Sequence, residues 1–88
     1  MSRGYQAGID FVALMGKTRE IATLLASPGI LASESVEVAR AIRMVDGDFD
    51  RARQALTYAR DVLVTYGPDD PLVASANDVL DTVGDGRA

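Results

Sequence analysis

The chain has 88 residues, nine basic and thirteen acidic side chains, and a formal net charge of −4. It contains no cysteine and no histidine, which excludes disulfide scaffolds, thiolate nucleophiles, zinc fingers and imidazole acid–base chemistry. The length allows one domain, and the acidic balance argues against a general nucleic-acid binder.

The spacing predicts a first helix over residues 5–26. Phe11, Met15, Thr18, Ala22 and Leu25 recur at helical intervals on one face. Ile9, Val12, Leu14, Ile21 and Leu24 widen that face beyond half the circumference, as in a helix buried on two sides. Gly8 and Gly16 lie inside it and point to close helix packing or to a break near Gly16. Ser27-Pro28-Gly29 is a turn signal that ends the helix, and Ile30 and Leu31 should tuck back onto the core.

A second helix is predicted over 34–45, with Ser33 as its N-cap. Glu34 and Glu37 stand near its start and Arg40 and Arg43 near its end, both favourable to the helix dipole. Asp46-Gly47-Asp48 is a tight turn, so the next helix must return antiparallel. That third helix is predicted over 49–66, capped by Asp48. Its apolar face is Phe49, Ala52, Leu56, Ala59, Leu63 and Tyr66. Gly67-Pro68 stops it. Asp70 and Pro71 then start a fourth helix over 71–83, with Leu72, Ala76, Val79, Leu80 and Val83 inward.

No window alternates with the period of a strand. The expected fold is therefore all-α, a compact four-helix bundle with a central antiparallel αα-hairpin. It forms a single domain over 1–84, and 85–88 is a frayed tail. No window is long and apolar enough to span a membrane.

Charge is unevenly placed. Residues 1–44 hold four acids and five bases, while residues 45–88 hold nine acids and four bases. Gly16-Lys17-Thr18 ends like a phosphate-binding loop, but Phe11 stands where that loop needs glycine. Asp46, Asp48 and Asp50 alternate as in a calcium loop, but Arg51 and Thr57 occupy its essential Gly and Glu positions. Arg40, Arg43, Arg51 and Arg53 gather at the hairpin turn, where the three aspartates are expected to neutralise them.

Two resemblances bear on function. Gly47-Asp48-Phe49-Asp50-Arg51-Ala52, followed by Ala59, Pro68 and Pro71, resembles a tetratricopeptide repeat over residues 34–71. That family joins two antiparallel helices by a Gly-Asp-aromatic turn, with small residues at the positions of Ala52 and Ala59. The prolines come about one turn late here, and Val36, Arg40 and Arg43 replace the usual aromatic and small residues. The resemblance implies a partner peptide or helix on the face of the second helix. Glu34-Ser35-Val36 also resembles the serine setting of acyl carrier proteins, which would imply a phosphopantetheine arm on Ser35. Arg40 and Arg43 depart from the acidic second helix of that family.

The expected function is a non-catalytic protein–protein interaction module, a small adaptor or regulator. It would bind through an apolar helix face with an arginine rim: Val36, Arg40 and Arg43, with Leu14 and Ile21 on the first helix. The alternative is a self-associating structural subunit of a phage or other multi-copy assembly, joined through the first helix. No cofactor or metal, no nucleic acid and no membrane is expected. The expected location is the cytoplasm or the interior of an assembly.

Overall fold

Among the described residues the chain forms four helices: α1 (Arg3–Leu25), α2 (Ala32–Arg43), α3 (Phe49–Tyr66) and α4 (Pro71–Gly84). The computed structural model describes residues 3–26 and 32–84, with side chains over 10–26 and 34–83. Among the described residues there is no strand. The fold is an all-α four-helix bundle.

The two short connections obey their turn chemistry. α2 ends at Arg43, two residues before the predicted end, because Met44–Gly47 forms a turn. Asp46 and Gly47 take left-handed conformations, with φ of 51° and 77°. Gly47 adopts this freely, and Asp is among the few other residues that tolerate it. Val45 reaches the core from the turn rather than from the helix and is 2% exposed. Asp48 then caps α3, its carboxylate accepting from the backbone N–H groups of Asp50 and Arg51 at 2.9 and 3.2 Å. Such a cap contributes about 1 kcal/mol. Asp70 caps α4 in the same way, accepting from the N–H of Leu72 at 2.8 Å, with Pro71 at the first helical position.

α2 begins at Ala32, so Ser33 stands inside its first turn rather than before it. The Ser33 side chain, the predicted turn at Ser27-Pro28-Gly29, Ile30, Leu31 and the tail at 85–88 lie outside the described residues.

α1 packs against all three other helices, and its interface with α3 is the most extensive in the molecule. α2 and α4 each pack on both α1 and α3 but do not touch each other. They therefore lie on opposite flanks of the α1–α3 pair. Leu14, Ile21, Leu25, Val38, Leu56 and Leu63 fill the core with almost no exposed surface. Buried Ala52, Ala55, Ala59 and Ala76 let the helices approach closely. Thr18 is fully buried too, and its hydroxyl is satisfied by donating to the Leu14 carbonyl one turn back. Arg60 ties α3 to α4 by donating to the Asn77 side-chain oxygen at 2.8 Å.

Gly16 neither breaks α1 nor marks close packing. The helix runs straight through it, and a Cβ added there would meet nothing within 4 Å. Gly16→Ala is expected to stabilise the chain by about 1 kcal/mol. That raises the thermal midpoint by about 4–8 °C for a domain of this size, as a melting curve would read.

Candidate interaction face on the second helix

α2 buries one side and leaves the other bare. Val38 is fully buried, and Ala39, Ala41 and Ile42 are half-buried. The outer arc carries Val36, Glu37, Arg40 and Arg43, and Met44 continues it into the turn. Val36 is 52% exposed and Met44 60%, large apolar surfaces that nothing among the described residues covers. The sequence placed Val36, Arg40 and Arg43 together on this arc. Met44 was missed, although it lies eight residues after Val36 and four after Arg40, a helical interval.

The expected neutralisation of the arginines is only partial. Asp48 spends its carboxylate on the α3 cap. Asp50 reaches Arg53 at 4.0 Å. Arg51 donates to the Met44 carbonyl at 3.3 Å and so braces the turn. Arg40 pairs with Glu37 on its own helix at 3.4 Å, both side chains half or more exposed. Exposed pairs of this kind contribute little. Arg43 makes no ion pair among the described residues.

Beside this arc an open groove of about 440 Å³ separates α2 from α3. Ala41 and Ala55 form its apolar floor, with Met44 and Arg51 at one end and Tyr58 at the other. Tyr58 is 38% exposed. Partial burial of its ring holds the phenol above the ordinary tyrosine range, and the carboxylates of Glu34 and Glu37 push in the same direction. The neutral phenol's stabilising effect is whole below the unfolded-chain value of about 10. It is lost as pH climbs through the raised value. An alkaline absorbance titration should show one tyrosine ionising late. Tyr58→Phe should remove that phase, and Glu37→Gln should bring it to lower pH.

Leu14 and Ile21 do not belong to an interaction face. Both are fully buried in the core. Among the described side chains, Leu14, Met15, Thr18, Ile21 and Leu25 of the wide α1 face that suggested self-association are buried against the other helices of the same chain, whereas Val12 is not. Among its described side chains, α1 leaves exposed Val12, at 68%, with Ala13, Gly16, Arg19, Glu20 and Thr23.

The other sequence motifs resolve into helix chemistry. Gly16-Lys17-Thr18 is continuous helix, and Lys17 bonds Glu20 at 2.8 Å. Ser35 is half-buried in the early part of α2. Among the described residues no group of three acidic side chains is placed to hold a metal ion, and no helix is long and apolar enough to cross a membrane. No family model, no curated protein and no solved structure matches the chain.

Proposed function

We propose that the chain is a non-catalytic protein–protein interaction module that receives its partner on the outer face of α2. The observation that carries this reading is the bare arc itself. Val36 and Met44 expose apolar surface, and Arg40 and Arg43 stand between them at the spacing of successive turns. Apolar anchors beside arginines are the composition that binding hot spots favour. The likeness of residues 34–71 to a tetratricopeptide hairpin supports the same face, since that family docks peptides on the first helix of its hairpin. Ala52 and Ala59, at the small-residue positions of that motif, are fully buried.

The test is the full chain carrying Arg40→Glu and Arg43→Glu. Both side chains are exposed, so the thermal midpoint should stay close to the parent's. Capture of the binding partner from the native host should be lost. Capture undiminished in a folded double variant would overturn the reading.

A further inference from the structure

We propose that the partner received by α2 is a second copy of this chain, docked through the outer face of its α4. The proposal rests on the reading of the α2 arc as a binding face and names what fills it.

The argument is one of charge and position. The outer face of α4 is small and acidic: Ala74, Asp78 and Asp81 are exposed on successive turns. Asp78 and Asp81 make no ion pair among the described residues. They stand three residues apart, as Arg40 and Arg43 do on α2. Two helices laid side by side can set one pair against the other, with Ala74 leaving room for a large apolar neighbour such as Val36 or Met44. Opposite charges at matched spacing steer the encounter and fix its register.

Within one molecule this contact cannot form. α2 and α4 lie on opposite flanks of the α1–α3 pair and do not meet. Each copy therefore carries one basic and one acidic face pointing away from each other. The contact is head-to-tail, so it propagates from copy to copy and closes into a ring or extends as a filament. Glu37 shares the α2 arc and Arg60 borders α4 through its bond to Asn77. Neither reverses the sign of its face.

The experiment is mass measurement by light scattering on the full chain across a concentration series, with three samples. The parent is expected to rise above its 9.3 kDa monomer mass with concentration and to fall back in high salt. Arg40→Glu with Arg43→Glu makes both faces acidic, and Asp78→Arg with Asp81→Arg makes both basic. Each double variant alone is expected to stay monomeric while keeping its helical circular dichroism. Mixed together they again present opposite faces, and assembly should return. A parent that stays monomeric throughout overturns the second copy as occupant. The α2 reading then stands or falls separately on partner capture by the same arginine variant. Assembly that survives either pair of reversals, or that the mixture fails to restore, overturns the pairing of α2 with α4.

Discussion

Leu14→Asp is expected to unfold the chain, not to dissociate an assembly of folded chains. Leu14 has no exposed surface and sits where α1 meets its neighbours. An ionised carboxylate placed there loses its hydration, which costs several kcal/mol even after the site relaxes or the group takes up a proton. A domain of this length has a total stability of about 4–13 kcal/mol. Circular dichroism should show the helical signal largely lost at neutral pH, with no cooperative thermal transition. Ile21→Asp should behave alike, since Ile21 is as deeply buried. A folded monomer from either variant, in conditions where the parent assembles, would contradict the core position of that residue.

Leu56→Ala is expected to cost about 2–5 kcal/mol, because it removes buried methyl groups and leaves a void the bundle cannot fully close. Leu56 is fully buried at the middle of α3, which like α1 touches all three other helices. The urea midpoint should fall steeply with little change in the slope of the transition. Val36→Ala is the control. It truncates a side chain of similar chemistry on the open arc of α2, so its stability should change by about 0.5 kcal/mol or less. Equal losses at the two positions would mean that Val36 is covered in solution.

The starts of α3 and α4 were legible because local chemistry marks them. Asp48 and Asp70 cap α3 and α4 as their sequence context implies. Of the face of α3 read from Phe49, Ala52, Leu56, Ala59, Leu63 and Tyr66, the middle four residues are buried and Phe49 is half-buried, while Tyr66 at the end of the helix is 40% exposed. The buried face proves wider than a single stripe, since Ala55 and Val62 are buried as well. Periodicity along one helix cannot tell how many neighbours will surround it. The same blindness explains α1. Its broad apolar surface is equally suited to three helices of its own chain or to a foreign partner, and only the tertiary arrangement decides. Charge behaved similarly. Arg40, Arg43 and the three turn aspartates are close in sequence, yet capping geometry turns Asp48 to the backbone instead. Met44, inside the helix predicted over 34–45, and Tyr58 escaped notice because neither stands on the inward stripe of its helix.

The separation of α2 from α4 also has a thermodynamic signature. Perturbations more than about 7–10 Å apart that share no partner add in free energy. Exposed substitutions on α2 should therefore combine with exposed substitutions on α4 without cross-terms in monomer stability. The α1–α3 pair, which both flanking helices use as their support, should not behave this way. Slow amide exchange should concentrate there, and either flank can open locally without taking the other with it. The bundle is in this sense a spine with two independently detachable sides.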